Sequence, residues 1–426
     1  MKVTANEYRP ARDDEITENI SQWYEGQTGL TRIEKCSLQN DSDYQYKTKT
    51  RKSTDNGKTW GEWEESTVDF LDVHGNNEFL KWDSPGYFYN RVHKHTLHIY
   101  GERHFPGHYK DVYCEVFHNG GKRMYHDHTY ITIDDGKGNI KTQMINYESG
   151  DLICDRDNVT ESYRDRNNGY MCMNIDFDEN GDMLTTLGVC ARKCCEISGT
   201  DVNDIFPSSP DTMDGMIFIR GVWDGEKYNF IPSKPVLISD LLSSRGLMEH
   251  TVARLKSGRI VVVCRGSNVI DKTYNTRISP YAPSFKWVMY SDDGGKTFSQ
   301  PAPWSFDNRE AVYSSATMSH FVVDRRNGKH YWIGNVTSNN VYGNHPRWPL
   351  CIAEVDETYG VLLKDTLTTI DTIHEGESEM VQLSNFFFLQ NRENGHLELW
   401  LSKVGIHDEW SVWKNPVWKY DIDFDN

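Results

Sequence analysis

One pattern recurs along the chain and limits what it can fold into. An apolar-alternating run is followed by a polar turn carrying glycine, and then by a second alternating run. It reads YITIDDGKGNIKTQM around Gly138, MNIDFDENGDMLTTL around Gly181 and VARLKSGRIVVV around Gly258. It returns as FVVDRRNGKHYWIG around Gly328 and FFFLQNRENGHLELWLS around Gly395. Alternation of period two, broken by a glycine that tolerates positive φ, is the pattern of a β-hairpin. The turn glycines lie 43, 77, 70 and 67 residues apart. A looser copy, YFYNRVHKHTLHIY, turns near Lys94, about 44 residues before Gly138. Hairpins running from end to end without a Pro/Ser-rich linker predict an all-β, radial array, a β-propeller of four-stranded antiparallel blades. At about 70 residues per unit, 426 residues make six blades; the two short intervals leave room for a seventh. Two β-sandwiches are the alternative, since they also space strands regularly. The expected organisation is one propeller over 26–426, with 1–25 as a tail or an outer-strand contribution.

Charge and composition exclude several classes. Lys and Arg number 46 against 63 Asp and Glu, a formal charge of −17, so the chain has no overall field for nucleic acid or an anionic membrane. No apolar stretch approaches the roughly 18–20 residues of a membrane-spanning helix. The opening MKVTANEYRPARDDE has no apolar core of a signal peptide. The nine cysteines (36, 114, 154, 172, 190, 194, 195, 264 and 351) are odd in number and lack framework spacing. Reduced thiols in a cytoplasmic compartment are therefore expected, or a secreted protein if a leader has been removed. Cys190-Ala191-Arg192-Lys193-Cys194-Cys195 lacks zinc-site spacing and is read as a plain loop. No Walker A loop, GxSxG elbow or HExxH motif occurs, so neither cofactor nor metal is expected.

Two segments share a sharper motif. Ser53-Thr54-Asp55-Asn56-Gly57-Lys58-Thr59-Trp60 reads S-x-D-x-G-x-T-W, and Ser291 to Phe298 repeats it with Phe for Trp. An Asp that accepts backbone N–H bonds within its own turn, with Gly at a positive-φ position, makes a self-bonded hairpin turn. These turns resemble the Asp boxes, or BNR repeats, of the sialidase superfamily. The stretch from about residue 245 to 403 resembles consecutive blades of that family. The resemblance implies a six-bladed, sometimes seven-bladed, propeller that cleaves a terminal, carboxylate-bearing sugar from a glycan. It implies a carbohydrate substrate and no nucleic-acid or membrane partner.

Blade geometry suggests which residues share a face. Residues just before the first strand of a hairpin and just after the second lie on the same side of the ring. This rule brings together Glu249 and Arg265, His126-Asp127-His128, Tyr170 and Arg192, Ser315 and Asn335, and Glu377, Glu379 and Lys403. Arg347 follows on the next loop, with Trp348 beside it as a stacking platform for a sugar face. Guanidinium forks match a carboxylate better than lysine does. Arg265 and Arg347 resemble the second and third members of the sialidase arginine clamp, and Glu249 resembles the glutamate that activates the family's nucleophilic tyrosine. Asp127 and Glu379 are the candidates for a second acid. The family's Arg-Ile-Pro motif is absent; Arg32 and Arg91 are the nearest candidates for the first arginine. The segment EGESEMVQLSNF before the last blade contains no tyrosine.

Eight histidines (93, 95, 98, 104, 108, 118, 126 and 128) fall close together, and His126 and His128 share one strand face. The segment loosely resembles polysaccharide lyases of the ulvan type. That resemblance implies a second reading: His128 or a tyrosine abstracts a proton beside a uronate carboxylate that Arg265 or Arg192 neutralises. A non-catalytic glycan-binding propeller is the third.

Overall fold

The computed structural model describes residues 1–41, 44–66, 71–84, 86–109, 125–207, 211, 214–270, 276–407 and 413–425. Cys114 and His118 lie outside the described residues. Six antiparallel sheets form a six-bladed β-propeller, and no seventh hairpin unit has its own sheet among the described residues. Blade 1 runs outward through Thr17–Tyr24, Arg32–Asp41, Tyr44–Ser53 and Glu64–Glu65. In blade 2, Asn77–Asp83 and Phe88–Asn90 both pair with His95–Pro106, followed by His126–Asp134 and Ile140–Met144. Blade 3 uses Tyr170–Met171 with Asp176–Phe177, then Met183–Cys190, Asp214–Trp223 and Tyr228–Pro232. Blade 4 is Met248–Arg254, Ile260–Arg265, Lys286–Ser291 and Ala302–Pro303. Blade 5 is Ser319–Val323, His330–Asn335, Leu350–Glu354 and Thr368–Asp371.

Blade 6 closes the ring. Its strands Phe386–Gln390, Leu397–Ser402 and Val417–Asp423 are completed on the outside by Lys2–Arg9, with Val3 opposite Ile422 and Ala5 opposite Tyr420. The first strand of the chain thus covers the edge of the last blade. The N-terminal 1–25 segment carries this outer strand. It also contains Thr17–Tyr24, the innermost strand of blade 1, so the propeller starts before residue 26.

The short sequence intervals now have an explanation. The turn near Lys94 joins the inner strands of blade 2, whereas the turn at Gly138 joins its two outer strands. Both belong to one blade, and the remaining turn glycines mark one inner hairpin each.

The near-continuous apolar strands reflect burial on both faces. In Ile260–Arg265, Ile260, Val262 and Cys264 pack with blades 2 and 3, while Val261 and Val263 pack with blade 5. In blade 5, Trp332 faces blade 4, and Tyr331 and Ile333 face blade 6. In blade 6, Leu397, Leu399 and Leu401 face blade 5, and Trp400 faces blade 1. Alternate side chains of one strand therefore fill two different inter-blade cores.

The two Ser-x-Asp-x-Gly-x-Thr turns join the third and fourth strands of blades 1 and 4. Their bonding is the same. Thr59 N donates to Asp55 Oδ1 at 2.8 Å and Thr59 Oγ1 to Asp55 Oδ2 at 2.6 Å; the Thr297–Asp293 pair repeats this at 3.0 and 2.6 Å. The threonine bonds hold both carboxyls down to about 2. Gly295 sits at φ +87°, and a Cβ there would lie 2.1 Å from the Phe218 ring, so this turn docks on blade 3. No described helix is long and apolar enough to cross a membrane.

Candidate active site

One face of the ring opens into a cavity of about 1280 Å³. Its lining comes from the inner strands, the ends of the second strands and the starts of the third strands in blades 2 and 3. Asn19 and Gln39 come from blade 1, Trp82 and Arg103 from blade 2, Tyr170 and Asp214 from blade 3, Glu249 and Arg265 from blade 4, and Phe386 and Phe387 from blade 6. The antiparallel hairpin produces this convergence, because a strand that leaves the face is paired with one that returns to it.

Glu249 is aimed by an irregularity in its strand. Met248 pairs with Arg265 and Thr251 with Val263, so two residues, Glu249 and His250, oppose one. Such a bulge bends the strand and redirects a side chain. Glu249 also has φ +47°, an uncommon value for a residue with a Cβ. Local strain of this kind concentrates at functional sites. Its Oε1 accepts from Arg265 Nη1 at 2.7 Å. Its Oε2 is buried and has no hydrogen-bond partner among the described residues.

From Glu249 a polar chain crosses to blade 6. Arg265 Nη2 donates to Asn344 Oδ1 at 3.2 Å, and Arg347 Nε donates to the Asn344 carbonyl at 3.2 Å. Arg347 Nη1 donates to Gln382 Oε1 at 2.8 Å, and Asn335 Nδ2 holds the Arg347 carbonyl at 2.9 Å. Across the cavity, Arg103 grips Asp127 with two bonds, Nε to Oδ1 at 2.5 Å and Nη2 to Oδ2 at 2.8 Å. Its guanidinium lies 3.9 Å from the Tyr125 ring centroid and 4.8 Å from that of Trp82. Arg245 and Asp214 add a further arginine and carboxylate to the lining.

Beneath this layer lies Lys286, fully buried and cross-strand from Arg265. Its Nζ donates to the Thr317 carbonyl. Burial pushes its ammonium down to about 7, against the opposing pull of Glu249. A lysine held below its unfolded value carries fewer protons in the native state between about pH 7 and 10.5, so stability rises with pH across that window. Lys286→Met is expected to stabilise the fold by roughly 3–5 kcal/mol at pH 7 and by little near pH 10. Urea denaturation of both proteins at the two pH values checks this.

Of the residues expected at the mouth, Asp127, Glu249, Arg265 and Arg347 line the cavity. The others do not. His126 and His128 lie on the opposite side of their strand from Asp127, as period-two alternation requires. The His128 ring is fully buried 4.0 Å from that of Tyr163, and burial pushes it down to about 3. An imidazole so placed does not line the cavity. Arg192 sits on a helix, Ala191–Ser198, in place of the expected loop, and pairs with Asp211 at 2.7 Å. Trp348 Nε1 donates to the Glu379 carbonyl at 3.1 Å, and both residues lie outside the cavity lining. Arg32 is buried with Glu398, and Arg91 sits at the hairpin turn on the far face, so neither is a third clamp arginine. The described residues contain no group of three or more His, Cys, Asp or Glu that could hold a metal ion.

Arg103, Arg245, Asp214, Tyr125, Asn344 and Gln382 escaped the sequence reading. Arg103 had a usable signal. It ends the second strand of its blade in HIYGERHF, as Arg265 does in VVVCRGS. Reading Gly138 as the inner turn of that blade displaced it.

The chain matches no family model and no curated protein sequence. Among solved structures it is similar to a protein of unknown function from Dyadobacter fermentans DSM 18053, at 12% identity and a TM-score of 0.56, covering 98% of this chain and 99% of that one. It is also similar to Trypanosoma rangeli sialidase in complex with sialic acid, at 9% identity and a TM-score of 0.50, covering 100% of this chain and 59% of that one. The chain thus spans less than two thirds of the sialidase. The likeness is one of fold: a sialidase-like propeller.

Proposed function

We propose that the protein is an exo-acting glycoside hydrolase that removes a terminal, carboxylate-bearing sugar from a glycan. The observation that carries this reading is the polar chain Glu249–Arg265–Asn344–Arg347–Gln382 along one wall of the cavity. Arg265 and Arg347 receive the substrate carboxylate, with Arg245 also on the lining, and Asn344 fixes the spacing of the first two. Glu249 acts as general base through its unpartnered Oε2. Asp127, oriented by Arg103, is the second carboxylate, on the leaving-group side. Trp82 and Tyr125 offer ring faces to the next sugar.

Gln382, rather than a tyrosine, lies in the segment before the last blade and is already bonded to Arg347. In this reading water activated by Glu249, rather than Tyr170 or Tyr125 on the lining, is the nucleophile, and the anomeric configuration inverts. Proton NMR of the protein with a panel of sialylated and uronate-containing glycans tests it. A saturated terminal sugar, first formed as the inverted anomer, is the expected product. A vinylic signal would replace hydrolysis by elimination, and silence across the panel would leave a glycan-binding propeller.

A further inference from the structure

The face opposite the cavity carries a separate cluster. The inner hairpins of blades 2, 5 and 6 turn at Arg91, Arg325 and Arg392. Arg91 Nη2 donates to the Arg325 carbonyl at 2.8 Å, and Arg325 Nη2 donates to the Tyr87 carbonyl at 3.5 Å. Blades 2 and 5 stand opposite each other in a six-membered ring, so these contacts cross the propeller axis. Arg325 N is tied to Gln390 Oε1 of blade 6 at 2.8 Å. Arg392 donates to the carbonyls of Gly29 and Gly26 at 2.9 and 3.0 Å, with its guanidinium 4.1 Å from the Tyr24 ring centroid.

None of the three arginines has a carboxylate partner among the described residues. This is unusual in a chain of charge −17, where Arg32, Arg103, Arg220, Arg265 and Arg326 are all paired with acids. Arg91 and Arg325 are exposed and Arg392 is half-buried. A guanidinium has five N–H donors, and the carbonyl bonds use only one or two on each side chain. The charges also sense one another. Although the Arg325 side chain keeps solvent contact, the atoms packed around it, and then the charges of Arg392 and Arg91, push its guanidinium down. An anion on the axis would relieve that repulsion.

We propose that Arg91, Arg325 and Arg392 form a binding site for a small tetrahedral oxyanion, phosphate or sulfate, at the axial end of the ring opposite the cavity. Arg91, Arg325 and Arg392 stand on the turns of three blades at one end of the ring, and a tetrahedral group offers an oxygen to a fork from each, whereas a planar carboxylate offers two. The bound anion would tie blades 2, 5 and 6 together through one group. The site does not depend on the hydrolase reading.

Isothermal titration with inorganic phosphate, at constant ionic strength with chloride as the balancing ion, tests the proposal. One site with a dissociation constant below about 1 mM is expected, with sulfate competing. Arg325→Gln and Arg392→Gln should each weaken binding roughly tenfold or more. Arg347→Gln, on the cavity wall, should leave this binding unchanged. The opposite pattern, loss in Arg347→Gln with retention in Arg325→Gln, would place the anion in the cavity and overturn the proposal. Absence of binding to the unaltered protein at about 10 mM phosphate would overturn it as well. Should Arg325→Gln fail to fold, Arg325→Lys keeps the charge without the fork, and undiminished binding in that variant would count against the site.

Discussion

Lowering the pH from 7 to 5 is expected to unfold the protein cooperatively, through protonation of histidines that the fold buries neutral. Burial pushes His128, His250 and His320 down to about 3, and His95, His98 and His104 down to about 4. All six are buried. Each is neutral in the native state and takes up a proton near pH 6.5 once unfolded. The unfolded state therefore binds more protons below that pH, and stability falls as pH falls. Each such group contributes up to about 1.4 kcal/mol per pH unit, so six together approach roughly 8 kcal/mol per unit. That is comparable with the whole stability of a typical domain, about 5–15 kcal/mol.

His330 behaves oppositely. Burial disfavours its charge, but Asp176 at 3.4 Å and Glu357 at 3.0 Å raise it to about 9. Its contribution is complete below pH 6.5 and is lost between about 6.5 and 9. Over pH 7 to 9 it runs against the rise supplied by Lys286, which flattens the profile there. Urea midpoints from pH 4.5 to 9.5 should trace a steep acid limb and a plateau. A midpoint that stays level down to pH 4.5 would contradict the buried neutral histidines.

Glu249→Gln should lower kcat on a cleavable glycan by roughly 10²–10⁴-fold, the range for removal of a general base. Glutamine is the informative replacement. Its amide oxygen can still accept from Arg265, so Arg265 is not left buried and unpaired, a change that elsewhere costs about 3–5 kcal/mol. A thermal midpoint close to that of the unaltered protein, combined with the rate loss, would separate chemistry from folding. Arg265→Lys keeps the charge but loses the fork that spans Glu249 and Asn344. It should raise KM more than it lowers kcat, because the carboxylate of the substrate is held before and during the reaction. The two changes should be non-additive, since Glu249 and Arg265 share a hydrogen bond. Undiminished turnover in Glu249→Gln would require the base to be another carboxylate on the lining, Asp214 or Asp127.

Legibility in the sequence followed the physics of each blade. Strands such as IVVVCR and HYWIGN are buried on both faces, so they read as apolar runs and their hairpins are plain. The first blade hid because its inner strand, TENISQWY, buries Thr17, Glu18, Asn19 and Gln22 beside a charged network. There Glu34 accepts from Gln22 at 2.6 Å and pairs with Arg9 at 2.6 Å and Arg51 at 2.8 Å. Polar side chains satisfied by one another leave no hydrophobic periodicity to read.

The sequence alone determined the all-β class, the hairpin repeat, the two self-bonded aspartate turns and the Glu249, Arg265 and Arg347 positions. All but Arg347, which the resemblance to the sialidase arginine clamp singled out, follow from local rules: the alternation of a strand, the φ of a turn glycine, and the return of an antiparallel partner to the same face. Tertiary structure alone decided that Gly138 turns an outer hairpin, that Asp127 rather than His126 or His128 faces the cavity, and that Lys2–Arg9 closes the last blade. It alone brought Arg103 onto Asp127, and Arg91 onto Arg325 across the axis. Those outcomes depend on which strand pairs with which across the ring, and strand order is set by the packing of whole blades rather than by any window of adjacent residues.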